Sequence, residues 1–248
     1  MTTNYFEEEF DVSSPQQKKL YRGAYHYLKE TNSYADETFE VFQDLKDLSL
    51  SFQSEINCRV ATGEILKINI NYIVSKNYTP KAATIIKELG TEKVVEQFTN
   101  DKAKNILYYK FKNESKIYET NIKTPIKFHI ITPAAVSSLL FILSKKFDFT
   151  SKNLYTGITS INQWNFDEEL QVQKVVLEKT SLSSEALAID GNEVQATRYL
   201  LSEKSKDSSK DTENNIEVLM SRYQSIPYIL NSSDGTKIQI KYFNIIDN

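Results

Sequence analysis

Residues 48–60 alternate between apolar and polar side chains along almost their whole length. The apolar positions are Leu48, Leu50, Phe52, Ile56, Cys58 and Val60, with Ser54 as the one small polar residue among them. Because successive side chains of a strand point to opposite faces, this period of two predicts a strand of roughly 40 Å with one apolar face. A strand about twice the usual length must curve or overhang its neighbours. The pattern therefore favours a large curved sheet around an apolar interior.

Further strand patterns follow at short intervals. The alternation resumes over 65–75 after a turn at 61–64, which predicts a long hairpin. Parallel strands would need crossover helices, for which the connections are too short, so the chain is predicted to form an antiparallel meander. The other candidate strands in this part of the chain are 38–43, 82–89, 93–99, 105–112, 116–123 and 126–131.

Two segments have helical rather than strand spacing. Ser14-Pro15 looks like an N-cap followed by a first-turn proline, and predicts a short helix over about 15–30. An extended conformation of 21–28 is the alternative, because Tyr21, Tyr25 and Tyr27 favour strands. The basic stripe of this helix favours a solvated face, with peripheral contact to an anionic membrane or to an acidic partner as the alternatives. The stripe includes Lys18, Arg22 and Lys29.

The second helical pattern opens at Thr132-Pro133 and is apolar over most of its girth. Val136, Leu139, Leu140 and Leu143 recur at helical spacing. Such a helix is buried on most sides, so 133–147 is predicted to be a plug in the concave face of the sheet.

The predicted fold class is therefore mainly β: a large curved antiparallel sheet, as a half-barrel or open barrel, wrapped around one buried apolar helix, with a short N-terminal helix. A tail over 1–14 is expected to precede a single β-rich domain over 15–248. The charged segment 203–215 lacks aliphatic residues and is predicted to be a mobile loop.

Composition excludes several classes of partner and site. The net charge of −3 provides no overall positive field, so no nucleic-acid partner is predicted. Cys58 is the only cysteine, which excludes an intramolecular disulfide and cysteine-based zinc sites. Residues 1–10 lack the basic and apolar regions of a signal peptide, which predicts a cytoplasmic protein unless a leader has been cleaved.

The chain carries no catalytic signature that can be read from spacing. Two histidines, His26 and His129, lie outside any cluster of acidic residues, and glycine-rich phosphate loops are absent, so no metal or cofactor is predicted. Aromatic side chains are plentiful and could contact a ligand, with ordinary sheet packing as the alternative. The candidate ligand-binding residues are Tyr72, Tyr108, Phe128, Leu140, Trp164 and Tyr199.

The order of these elements resembles a known family. Long meandering strands, an apolar segment begun by Thr132-Pro133, and strands around 189–194 and 233–237 are similar in layout to the half-barrel lipid carriers of the LolA and LppX kind. That resemblance implies an unclosed sheet that wraps a helix and holds acyl chains.

Three functions remain open at this stage. The leading hypothesis is that the concave face binds a hydrophobic or lipid-like small molecule. The first alternative is a cofactor-free enzyme of the cyclase or isomerase type, which would act on an apolar substrate in the same cavity. The second alternative is a protein-interaction scaffold that uses an exposed sheet edge.

Overall fold

The computed structural model describes residues 16–144, 148, 152–160, 164–166, 169–181, 183–204, 215–221 and 225–246. This part of the chain is almost entirely strand. The strands are β1 (Gln17–Lys29), β2 (Asn32–Asp44), β3 (Leu50–Arg59), β4 (Ile65–Val74), β5 (Pro80–Leu89), β6 (Glu92–Asp101), β7 (Ile106–Lys112), β8 (Ile117–Lys123), β9 (His129–Ile130), β10 (Asn153–Thr159), β11 (Gln171–Lys179), β12 (Glu185–Ile189), β13 (Asn192–Lys204), β14 (Asn215–Ser221), β15 (Pro227–Ser232) and β16 (Thr236–Ile245).

All sixteen strands belong to one sheet. Its order is β8-β7-β6-β5-β4-β3-β2-β1-β16-β15-β14-β13-β11-β10-β9, and β12 pairs with β13 beside this path. Every pairing is antiparallel except that of β9 with β10. The predicted antiparallel meander is confirmed over β2 to β8, and the hairpin turn after β3 contains Gly63 at φ 89°.

The two ends of the described chain meet in the middle of the sheet, where β1 pairs with both β2 and β16. The sheet then rolls up, because the β9 edge lies against β5 of the opposite half. A hydrogen bond from Tyr72 on β4 to His129 on β9 crosses the same junction. Strand β9, at one end of the sheet order, is therefore joined to the inner face of the N-terminal half by side-chain packing rather than by a backbone ladder.

Alternation along each strand places one apolar face inside this roll. On β4, Ile68, Ile70, Tyr72 and Val74 are buried while the residues between them are half-exposed. The same period of two runs through β2, β3 and β5 to β7, which builds one large core cluster. A second cluster lies under β11 and β13 to β15, around Leu139 and Tyr155.

The predicted N-terminal helix is wrong. Residues 17–29 form β1, in which Tyr25 and Tyr27 are buried. Neighbours on both sides satisfy the backbone of this strand, and its tyrosines fit the inner face, which explains why the extended alternative prevails. Lys18, Arg22 and Lys29 therefore lie on a strand, and their contact with a membrane stays a prediction.

The predicted buried helix over 133–147 is also wrong. Its first part consists of turns closed by bonds between residues three apart, such as Ser138 N–H to the Ala135 carbonyl at 3.1 Å. Only Leu140–Ser144 forms a short 3-10 helix. The side chains of Ser137 and Ser138 bond back to carbonyls within the segment, and these local bonds compete with an α-helix. Residues 145–147 lie outside the described residues.

Two other predictions fall mainly on residues that the structure does not describe, namely the tail over 1–14 and most of the loop over 203–215. No helix within the described ranges is both long and apolar enough to cross a membrane.

Candidate functional site

A buried glutamate anchors the segment that follows β9 to the inner face of the sheet. The Glu37 carboxylate accepts hydrogen bonds from the hydroxyls of Tyr27, at 2.5 Å, and Ser54, at 2.9 Å. It also accepts bonds from the backbone N–H groups of Ala135, at 2.8 Å, and Val136, at 3.4 Å. One carboxylate on β2 therefore links Tyr27 on β1 and Ser54 on β3 to the turn at 135–136.

The electrostatics of Glu37 combine burial and hydrogen bonding. Burial raises the pKa of Glu37, because a charged carboxylate loses its hydration. The bonds from Tyr27, Ala135, Ser54 and Val136 oppose this rise, since each stabilises the anion. Burial beside Glu37 in turn raises the pKa of Tyr27 well above its usual value, so its hydroxyl stays a donor.

His129 provides a second attachment. Its Nδ1 lies 3.0 Å from the Tyr72 hydroxyl, and that oxygen also accepts a 3.3 Å bond from the Ile130 N–H. Burial lowers the pKa of His129 to about 3, and the nearby Ser137 backbone, which makes no hydrogen bond of ordinary geometry with the ring, opposes this shift in part. The imidazole is therefore neutral at physiological pH.

A partly enclosed cavity of about 240 Å³ lies between residues 129–141 and the C-terminal half of the sheet. Most of its wall is aliphatic or aromatic, and none of its side chains is a lysine, arginine or carboxylate. An enclosed apolar wall with a few polar groups is the usual character of a small-molecule site. The wall is formed by His129, Ile131, Thr132, Pro133, Ala134, Ala135, Ser138, Leu139, Phe141, Tyr155, Thr156, Gly157, Val175, Leu201, Ile216, Leu230 and Ile238.

Three aromatic rings adjoin one another in this wall. The Phe141 ring centroid lies 5.6 Å from that of His129, in an edge-on arrangement, and 4.6 Å from that of Tyr155. Phe141 and His129 are both buried. Gly157 completes the wall where the chain passes closest to Ile131, since a Cβ added there would lie 2.4 Å from the Ile131 side chain. These packed rings give the cavity a fixed shape.

A larger depression of about 670 Å³ lies on the outer face, across β1 to β6. Its carboxylates already have partners, because Glu40 binds Lys19, Glu55 binds Lys67 and Glu88 binds Lys93. This depression is more open and carries charged side chains, whereas the inner cavity is more enclosed and largely apolar. The inner cavity is therefore the better candidate site, although it is smaller.

None of the six residues predicted from the sequence belongs to the cavity wall. Tyr72 binds His129, and Tyr199 packs in the second core cluster beside cavity residues. Phe128 and Leu140 are buried in the main core, and Trp164 packs against it. Tyr108 is exposed on the outer face. Ligand contact by these six residues stays a prediction.

Sequence reasoning missed the buried charged groups. Glu37 shares the inward face of β2 with Ala35, Phe39 and Val41, and that parity is readable from the sequence. The Lys87 ammonium and the Glu96 carboxylate form a buried ion pair at 2.6 Å. The Tyr109 hydroxyl donates to the same carboxylate at 2.8 Å. Both charged residues follow the alternation of their strands inward.

A metal site would need several ligating side chains close together. Within the ranges that the structure describes, no group of three or more His, Cys, Asp and Glu side chains is placed to hold a metal ion.

Comparison with known proteins identifies structural neighbours of the fold. The chain is similar to a β-barrel-like protein of the domain of unknown function DUF1849 from Brucella abortus, with a TM-score of 0.60 and 10% identity over 92% of this chain and 98% of that one. It is also similar to a DUF1089-family protein from Pseudomonas aeruginosa, with a TM-score of 0.50 and 10% identity over 81% and 91%. No protein-family model and no curated protein sequence matches the chain.

At 10% identity these likenesses show the fold alone, which is β-barrel-like. They support the barrel-like part of the expected architecture. Membership of the LolA and LppX superfamily stays a prediction.

Proposed function

We propose that the protein binds a small hydrophobic molecule in the cavity between residues 129–141 and the C-terminal half of the sheet. The observation that carries this proposal is the partly enclosed 240 Å³ space, around which the described residues place no lysine, arginine or carboxylate side chain. Well-packed interiors hold few voids larger than a water molecule, so a cavity of this size inside a fixed aromatic frame favours an occupant.

The way the wall is held also supports a binding role. Glu37 fixes the turn at 135–136, and Tyr72 fixes His129, so the inner wall has a single arrangement before any ligand arrives. A preformed site loses little conformational entropy on binding. The ligand is smaller than a typical drug-sized molecule, for which pockets measure about 300–1,000 Å³. A single alkyl chain or a compact ring system fits this description.

Displacement of a neutral apolar fluorophore tests the proposal. N-phenyl-1-naphthylamine should bind the native protein saturably at about one per chain, since the proposed site is a single cavity. Ile216→Phe, which adds volume at the cavity wall, should weaken the affinity at least about fivefold, or roughly 1 kcal/mol. Both the fluorescence titration and competition by 1-decanol report this affinity.

The control is Ile122→Phe, a matched substitution of a partly buried isoleucine outside the cavity wall. It should leave the fluorophore affinity unchanged. Equal effects of the two variants, or fluorescence that rises only as urea unfolds the protein, would contradict binding in the cavity.

A further inference from the structure

We propose that the occupant of the cavity carries a neutral hydrogen-bond acceptor, such as a hydroxyl or ester oxygen, that receives a hydrogen bond from Nε2 of His129. This inference rests on the function proposed above and specifies the chemical class of the ligand. It requires a defined tautomer of His129, a donor without a protein partner, and an environment that disfavours an anion.

The Tyr72 hydroxyl defines the tautomer. Its oxygen accepts from the Ile130 N–H, and Nδ1 of His129 is the one acceptor that the described residues place within reach of its proton. Donation from the hydroxyl to Nδ1 leaves the imidazole proton on Nε2. The opposite tautomer would leave both the hydroxyl proton and the Nε2 lone pair without partners.

The Nε2 proton is buried and available. Across the part of the chain that the structure describes, Nε2 makes no hydrogen bond of ordinary geometry, and the residue is 2% exposed. An unsatisfied buried donor is costly, so native structures supply a partner from protein, water or ligand. Because the His129 ring forms part of the cavity wall, an oxygen on the occupant can be that partner.

Three hydroxyl groups of the wall already have hydrogen-bond partners. Thr132 bonds with Ser137 at 2.9 Å, and Ser138 donates to the Ala135 carbonyl at 2.7 Å. Thr156 accepts a 2.8 Å bond from the Lys174 ammonium. His129 is therefore the donor best placed to select a polar group on a ligand.

The surroundings disfavour an anionic ligand. Among the residues that the structure describes, no lysine or arginine side chain lines the cavity, and burial keeps His129 neutral. A carboxylate transferred from water into this space would lose its hydration without gaining a cation. A neutral oxygen on an otherwise apolar molecule would accept the hydrogen bond from Nε2 without bringing a charge into the cavity.

Three ligands of equal chain length test the inference: decane, 1-decanol and decanoate at pH 8, each as a competitor of N-phenyl-1-naphthylamine. His129→Phe removes the donor and keeps an aromatic ring. This substitution should weaken the affinity for 1-decanol by about five- to tenfold, the range expected for one lost hydrogen bond. It should change the affinity for decane by less than about twofold. His26→Phe, at the chain's other histidine, should change neither affinity. Decanoate should bind the wild-type protein more weakly than 1-decanol.

Nitrogen-15 NMR of the wild-type protein provides a readout that needs no variant to fold. The His129 ring should show the Nε2-protonated tautomer, and 1-decanol but not decane should shift the Nε2 resonance. Three results would each overturn the inference: equal losses of affinity for 1-decanol and decane in His129→Phe, tighter binding of decanoate than of 1-decanol, or the Nδ1-protonated tautomer. If no competitor binds the wild-type protein saturably, the proposed function itself fails.

Discussion

The carboxylate of Glu37 accepts a 2.8 Å hydrogen bond from the backbone N–H of Ala135, a residue 98 positions further along the chain. This bond fixes the segment after β9 on the inner face of β2. The same carboxylate also accepts a 3.4 Å bond from the Val136 N–H, so it satisfies two backbone groups at the start of the segment. The shape of the cavity therefore depends on a carboxylate outside its wall.

Glu37→Gln should lower the free energy of unfolding by about 3 kcal/mol, because an amide replaces one acceptor oxygen by a donor that faces other donors. Urea unfolding measures the loss. The control is Glu40→Gln, on the outer face of the same strand, which should cost no more than about 0.5 kcal/mol. Similar losses in the two variants would show that Glu37 does not anchor the segment.

The buried pair of Lys87 and Glu96 leads to a second prediction. Lys87→Met leaves the Glu96 carboxylate buried beside the Tyr109 hydroxyl without its cation, and should cost about 3–5 kcal/mol. The double variant Lys87→Met/Glu96→Leu should recover most of this loss, because two apolar residues fill the same space without an unpaired charge. A double-mutant cycle from urea unfolding measures the coupling.

The exposed pair of Lys93 and Glu88, at 2.9 Å on the same hairpin, is the matched comparison. Lys93→Met should cost less than about 1 kcal/mol, as is usual for ion pairs in water. A cost as large as that of Lys87→Met would mean that burial does not govern the strength of the inner pair.

The strands could be predicted from the sequence because their signal is local. Alternation placed β4 at 65–75, and the structure has it at Ile65–Val74. The same parity, read along β7, puts Leu107, Tyr109 and Phe111 inside and Tyr108 outside. The sequence therefore contained the information that Tyr108 lies on the outer face.

The structure of the two segments wrongly predicted to be helices, and the presence of the cavity, depend on contacts that no local pattern contains. The spacing of apolar residues in three-residue turns is close to that of an α-helix, so 133–147 was compatible with both. Glu37, which holds the turn at 135–136 against the sheet, lies on a distant strand. For β1, the pairing with β16 at the other end of the chain outweighs the helical spacing of Leu20, Ala24 and Leu28. The cavity exists only where the segment meets the C-terminal half of the sheet.

The burial of His129 predicts how stability changes with pH. Its pKa falls from 6.5 to about 3 on folding, so between these values the unfolded chain binds more protons than the native protein. Stability contributed by neutral His129 is therefore full above pH 6.5 and is lost as the pH falls towards 3, with a slope of up to about 1.4 kcal/mol per pH unit. The raised pKa of Glu37 acts in the opposite direction, since the native state keeps that proton longer.

Comparison of wild type with His129→Phe separates these contributions, because Glu37 is present in both proteins. The free energy of unfolding of the wild type should fall relative to the variant between pH 6.5 and 4, as measured by urea unfolding at each pH. Parallel pH profiles would show that His129 titrates in the native state as it does in the unfolded chain.

The last prediction concerns the size of the cavity. Phe141 is buried between the rings of His129 and Tyr155, so Phe141→Ala should enlarge the cavity and cost about 3–5 kcal/mol of stability. The enlarged cavity should also accept longer ligands, and the optimum in a series of primary alcohols should move to a longer chain. Phe98→Ala is the matched control, because Phe98 is equally buried but packs against Tyr109 in the main core. It should cost a similar amount of stability and leave the optimum chain length unchanged, whereas an equal shift in both variants would place the bound alcohol elsewhere.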